Sequence, residues 1–177
     1  MLNQSLNGQP HPDYYIAVMW QKLMVDGPAI NTRINAVSKQ AILTMPTTTG
    51  DDAVGGNAVA AKAAADHVRI YAHCHNSDSS VAVVAINFDQ FSAVNVALPS
   101  MYAAAEREDW VFTPCPEQGG VYGDCVKLNG VTLKTSTRTG MLPPMPPIIV
   151  SAEDDLTLPP HSYAFSLLPA PSGICSD

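Results

Sequence analysis

The sequence predicts a mainly β protein, an antiparallel β-sandwich preceded by one helix. Three observations carry this. Short segments with period-two alternation recur through the second half of the chain, and alternation of that kind places one face of a strand inward. Fifteen Pro and eleven Gly punctuate the chain with turns. Only one stretch reads as a well-formed helix. The 177 residues, 46% apolar against 14% charged, suffice for one domain with a real core.

The elements follow in order. Met1 to His11 is polar and turn-like, and Asn3-Gln4-Ser5 is a glycosylation sequon, which makes Asn3 a candidate acceptor. Pro12 and Asp13 then start a helix running to Met24 and stopping before Gly27-Pro28, with Pro at the first helical position and an acid in the first turn. Tyr14, Tyr15, Ile16, Val18, Met19, Trp20, Leu23 and Met24 leave it apolar on nearly every side. Such a helix is buried against something large, and the rest of the sequence offers no second helix to bury it. Ala29 to Met45 is expected to hold one edge strand. Residues 46–66, with Gly50 to Gly56 and the Ala58 to Ala65 run, read as a flexible insertion.

After Asp66 the period changes to two. Val68, Ile70, Ala72 and Cys74 fall on one face, and Arg69, Tyr71, His73 and His75 on the other. Asn76 to Ser80 is a turn, Val81 to Phe88 a central strand apolar on both faces, and Val94, Val96 and Leu98 alternate again. Trp110 and Phe112 share a face of the next strand. Asn129-Gly130 between Val126-Lys127-Leu128 and Val131-Thr132-Leu133 predicts a type I′ hairpin, because both central residues need positive φ. Met141 to Pro147, with four prolines, reads as a stiff crossover between sheets. Ser162 to Leu168 closes the fold with Tyr163, Phe165 and Leu167 on one side.

Charge and cysteines bound the function. Nine Lys plus Arg against sixteen Asp plus Glu give a net charge of −7, the wrong balance for a nucleic-acid partner or an anionic membrane surface. The longest apolar run near the start, Tyr14 to Trp20, is too short to span a bilayer. Cys74, Cys115, Cys125 and Cys175 match no zinc or redox spacing, so they read as two disulfides, which need an oxidising compartment. An extracytoplasmic chain without an export signal is expected to be the C-terminal piece of a longer secreted protein. No nucleophile elbow, phosphate loop or metalloprotease helix occurs, and no cofactor or metal is implied. His73 and His75 share a strand face about 6.5 Å apart, but spacing places no third ligand. The acidic stretches Glu106 to Asp109 and Glu153 to Asp155 read as solvated loops. The chain by itself shows no catalytic site.

Six stretches in order carry a family resemblance. They are Pro12-Asp13-Tyr14-Tyr15, Val68 to Cys74, Ile86-Asn87, Arg107 to Pro114, Leu128-Asn129-Gly130 and Leu158 to Phe165. Together they resemble the C-terminal region of the heparanase and β-glucuronidase family (glycoside hydrolase family 79), especially plant-type members. The resemblance implies a (β/α)₈ barrel that does the chemistry and a β-sandwich packed beside it, with residues 1–28 as the last barrel helix and its lead-in and 29–177 as the sandwich. It implies a retaining two-carboxylate mechanism whose acid/base glutamate follows an Asn. This chain has no Asn-Glu pair, so both glutamates are expected upstream. It also implies a Cys74–Cys175 disulfide, leaving Cys115 and Cys125 to pair locally. A loop of about 100 residues closed by such a bridge stabilises by about 4.7 kcal/mol in the chain-entropy picture. Where animal heparanases carry a basic run, this sequence has Ala58 to Asp66, with only Lys62 and Arg69 for positive charge, which favours a less charged glucuronide over heparan sulfate.

The expected function is therefore the accessory sandwich of a secreted or vacuole-type β-glucuronidase, partnered by its own barrel and, through it, by a glucuronide-containing saccharide. The rival is a stand-alone, non-catalytic β-sandwich that binds carbohydrate or protein.

Overall fold

The computed structural model describes residues 10–24, 67–75, 80–96, 106–136, 139 and 141–169. Among the described residues one α-helix, α1 (Pro12–Met24), precedes nine strands: β1 (Val68–His75), β2 (Ser80–Asn87), β3 (Val94–Val96), β4 (Glu106–Pro114), β5 (Val126–Leu128), β6 (Val131–Thr132), β7 (Ile148–Ser151), β8 (Leu156–Leu158) and β9 (Ser162–Pro169). A seven-stranded sheet runs in the order β1-β2-β9-β4-β5-β6, with β7 also on β4, while β3 and β8 form a second, two-stranded sheet. Every pairing is antiparallel. The mainly antiparallel fold with one leading helix is thus present, in an unequal form: helix, large sheet, small sheet.

Strand periodicity decides which side chains fill each layer. On one face of the large sheet, Ala82 and Val84 of β2, Trp110 and Phe112 of β4, Val126 and Leu128 of β5 and Phe165 of β9 form one core with Tyr15, Met19, Leu23 and Met24 of α1. The helix residues fall at i, i+4 and i+8, so they make a single stripe along one side. With no second helix to pack on, this inner stripe is covered by the sheet. The opposite face carries Val68, Ala85 and Ala164 against Val96, Leu156 and Leu158 of the small sheet.

The Asn-Gly turn holds as read. Asn129 and Gly130 have φ of 49° and 81° between β5 and β6, the positive values that a type I′ turn demands. Asn129 does more than turn the chain. Its Oδ1 accepts from Val111 N at 2.8 Å, its Nδ2 donates to Asp109 O at 3.2 Å, and its own N–H donates to Val111 O at 2.8 Å. The hairpin is thereby anchored to the middle of β4.

Three readings need correction. The Met141 to Pro147 segment joins β6 and β7 of the same sheet and crosses its helix side, where Leu142 and Met145 pack on the core and Met145 O accepts from Trp110 Nε1 at 2.9 Å. Glu106 to Asp109 is no loop: it is the first half of β4, with Arg107 and Asp109 buried. Phe88 lies just past the end of β2 and is exposed. The expected edge strand in Ala29 to Met45, the insertion at 46–66 and Leu98 lie outside the described residues, as do residues 76–79 of the expected turn.

Candidate functional site

The buried charges come first, since carboxylates are where glycosidase chemistry would be sought. Arg107 Nε donates to both Asp109 oxygens at 3.0 and 2.9 Å, and Ser166 Oγ donates to Asp109 Oδ1 at 2.6 Å. Arg107 Nη1 donates onward to Ser151 O at 3.0 Å and to Asp154 O. Residues i and i+2 of a strand share a face, so β4 sets the pair side by side. Asp109 is thus saturated by hydrogen-bond donors and pinned to an arginine. It ties β4, β9 and the β7–β8 turn together.

Asn87, 1% exposed, does the same at the other end. Its Nδ2 donates to Ser92 O, Leu158 O and Pro159 O at 2.9, 3.1 and 3.0 Å, and its Oδ1 accepts from Asp89 N at 2.9 Å. Asp89 Oδ1 in turn accepts from Phe91 N and Ser92 N at 2.7 and 2.8 Å. Those two backbone donors stabilise the anion and hold the Asp89 carboxyl below its ordinary value of 3.8.

Among the described residues, one concave feature is a groove between α1 and the end of the sheet. Ile16 and Trp20 supply the helix wall, Phe88 and His161 the far rim, and Val121 and Tyr163 the join to a smaller pocket beside Pro12 and Cys125. The cavity volumes are about 340 and 160 Å³. Tyr163 lies flat on Phe112, ring centroids 4.7 Å apart at 10°, and its hydroxyl donates to Pro12 O at 3.4 Å. Burial, with Asp13 and Tyr15 nearby as lesser causes, pushes that hydroxyl far above the ordinary tyrosine range, so it stays a neutral donor. His161 takes a left-handed φ of 51° and donates its backbone N–H to Asp89 O at 2.9 Å.

Cys115 and Cys125 form a disulfide with Cα atoms 5.5 Å apart, closing the loop that presents Val121. Inside it Gly123 packs on the Gln118 carbonyl so tightly that a Cβ would stand 1.9 Å from the oxygen. His11 Nδ1 meets Asp124 Oδ1 at 2.8 Å, and Lys127 Nζ meets Glu117 Oε1 at 2.9 Å, which fasten the loop to the start of α1 and to β5. Cys74 is likewise disulfide-bonded. Cys175 and the sequon Asn3 lie outside the described residues. His73 sits half-buried with its ring 6.2 Å from that of Trp20, edge on. Among the described residues no three His, Cys, Asp or Glu side chains gather as metal ligands.

The structure therefore brings together residues that spacing does not: Trp20, Phe88, Val121 and His161 come from four separate segments. The signal available in sequence was only that Phe88 stands at the polar end of its strand.

No protein-family model matches the chain. Curated relatives do. Over 164 residues, 92% of this chain, it is 28% identical to baicalin-β-D-glucuronidase of Scutellaria baicalensis, covering 25% of that protein. It is 24% identical to heparanase-like protein 3 of Arabidopsis thaliana, over 93% of this chain and 29% of that protein, and 25% identical to heparanase-like protein 1 of the same plant, over 90% and 29%. The chain is a heparanase- and glucuronidase-like sequence. It spans between a quarter and a third of the length of these heparanase-like relatives. Among solved structures, a bifunctional glucanase-xylanase from a metagenome library is similar over 60% of this chain and 16% of that one, at 19% identity and a TM-score of 0.34. The motifs that carry the heparanase-like resemblance now have physical roles. Asn87, Arg107, Asp109, Trp110, Asn129 and Tyr163 all hold strands, turns and the helix together.

Proposed function

We propose that the chain is the accessory β-sandwich of a longer, secreted, heparanase-like retaining β-glucuronidase, and that the catalytic glutamates lie outside it. One observation carries the reading: nine-tenths or more of the chain aligns with only 25 to 29% of proteins named as a glucuronidase and as heparanase-like. The geometry agrees in kind, because the buried carboxylate of the resemblance motifs is locked to Arg107 and Ser166. The parent would hydrolyse O-glycosidic β-glucuronide bonds, with two carboxylates as acid/base and nucleophile, on a plant-type glucuronide of modest charge. Cystine cross-links support an oxidising compartment for it.

The test is a glucuronidase assay on the longer polypeptide that contains this sequence and on the purified 177-residue chain. The longer protein is expected to release the aglycone of an aryl β-glucuronide with retained anomeric configuration by NMR, and the chain alone to release none. Activity in the chain alone, or none in the longer protein, overturns the proposal. The stand-alone binding reading draws support from the exposed aromatics Tyr71, Phe88, Phe91 and Tyr122. Retention of the purified chain on an immobilised polysaccharide would favour it.

A further inference from the structure

We infer that the disulfide-closed loop at residues 116–124 is a leaving-group subsite of the parent enzyme, with Tyr122 as the platform on which a hydroxylated ring beyond the glucuronosyl unit stacks. This deepens the proposed function and rests on it, and on the resemblance that makes α1 the last helix of the parent's barrel. The first argument is the construction of the loop. Tyr122 is 97% exposed and Val121 46%, and residues 116–124 contribute no buried side chain. Yet the loop is closely fixed. The Cys115–Cys125 bridge closes it, Gln118 N and Gly120 N both donate to Cys115 O at 3.0 Å, and Tyr122 N donates to Gly119 O at 3.2 Å. Gly119 and Gly120 take φ of 92° and 59°, and Gly123 sits too close to the Gln118 carbonyl for any side chain. Constraint with no core behind it serves position. A ring held still in water loses little freedom when a ligand stacks on it.

The second argument is location. His11 Nδ1 meets Asp124 Oδ1 at 2.8 Å, and Pro12 and Val121 line one small pocket, so the loop stands at the start of α1. In a (β/α)₈ barrel the reacting groups lie at the C-terminal ends of the strands, and each helix begins at that same face. A loop fastened to the start of the last barrel helix therefore stands at the rim of the catalytic face. A retaining glycosidase holds the sugar being cleaved between its two carboxylates. The glucuronosyl unit fills that pocket, and what it is attached to extends outward over the rim.

The third argument is the chemistry on offer. A second loop at this end, residues 88–92, is fixed in a similar way. The Asp89 carboxylate accepts from Phe91 N and Ser92 N, and Phe91 is left 82% exposed. Phe88 of that loop and Val121 line one groove, so the two loops adjoin. Gln90 and Gln118 are exposed in the same two loops. The carboxylates of the disulfide loop are matched, Glu117 with Lys127 and Asp124 with His11. Aromatic faces with amide side chains nearby, and carboxylates already partnered, suit an uncharged ring that carries hydroxyls. A pyranose and a fused aromatic aglycone both present such a ring.

The test is steady-state kinetics of the full-length parent on three substrates. These are β-glucuronosyl fluoride, whose leaving group has no ring, a fused-ring aryl β-glucuronide, and an oligosaccharide ending in a β-glucuronosyl unit. Tyr122→Ala is expected to lower kcat/KM about three- to tenfold on at least one ring-bearing substrate, the value of one stacking contact, and to leave the fluoride within about twofold. Tyr122→Phe is expected to keep the unaltered values. Loss on the aryl arm alone names an aromatic aglycone, and loss on the oligosaccharide arm alone names a saccharide. Unchanged kcat/KM on both ring-bearing substrates overturns the inference, and so does an equal loss on the fluoride, which would place the effect at the reacting centre or in the fold. The thermal midpoint of Tyr122→Ala is expected within about two degrees of the unaltered parent, since the ring stands in water. An unaltered parent that leaves the fluoride intact refutes the proposed function and this inference with it. An active parent with a silent Tyr122→Ala refutes the inference alone.

Discussion

The two faces of the seven-stranded sheet are built on different principles. The helix side holds the large side chains, Trp110, Phe112, Phe165, Tyr15 and Met19, interlocked by volume. The small-sheet side has smaller aliphatics, Ala85, Ala164 and Val96, and beside them the polar clamps of Asp109 and Asn87. The first face holds by filling space, the second by fixing where loops attach. A single sheet can do both because alternate residues of β4 serve opposite sides: Trp110 and Phe112 face the helix, Arg107 and Asp109 the clamp.

The largest effect should come from the packed face. Trp110→Ala removes the biggest buried side chain, orphans the Met145 carbonyl and takes the ring from under Lys22, whose Nζ stands 5.3 Å from its centroid. A loss toward the upper end of about 3–5 kcal/mol is expected in urea unfolding. Next comes Asp109→Ala, which leaves the Arg107 guanidinium buried without its anion and should cost about 3–4 kcal/mol. Replacing Arg107 by Met and Asp109 by Leu together should cost clearly less than the two single changes summed, because no charge is then stranded. Additive losses would mean that the clamp works by shape and belongs with the packed face.

Asn87→Ala is expected to cost about 2–3 kcal/mol by freeing three carbonyls and the Asp89 N–H. Hydrogen exchange should localise the loosening to residues 88–92 and the turn at 158–161, leaving α1 protected. The smallest effect is acid. The folded Asp89 carboxyl titrates below its ordinary 3.8, so its contribution is full above that pH and is lost as pH falls through the folded value. Asp89→Asn should therefore flatten the decline of stability below about pH 4 and change little at neutral pH.

Legibility in the sequence divides along the same line. Alternation found the inward faces of β1, β4 and β9, and Asn-Gly found the hairpin, because these depend on neighbours in the chain. Strand β7 escaped: Ile148 and Ile149 are both exposed, so no period marks them. The Arg107–Asp109 clamp was readable in principle from its i, i+2 spacing, yet its burial is decided by Ser166 and Asp154, far along the chain. The groove was not readable at all, since its walls come from the helix, the end of β2, the disulfide loop and the start of β9. For the helix, the pattern gives the bounds and says that it is covered, but not by what.

The order of strands has one more consequence. Strand β9 lies between β2 and β4 at the centre of the large sheet, pairing Val84 with Phe165 and Trp110 with Phe165. Of the described strands it is the one synthesised last. During translation β1–β2 and the hairpin can form early, but the middle of the sheet stays open until β9 has left the ribosome. These long-range pairings make for slow folding and leave unpaired strand edges exposed meanwhile. A ribosome stalled before Ser162 would therefore hold a nascent chain whose two half-sheets lack the strand that hydrogen-bonds to both, a form suited to capture by chaperones.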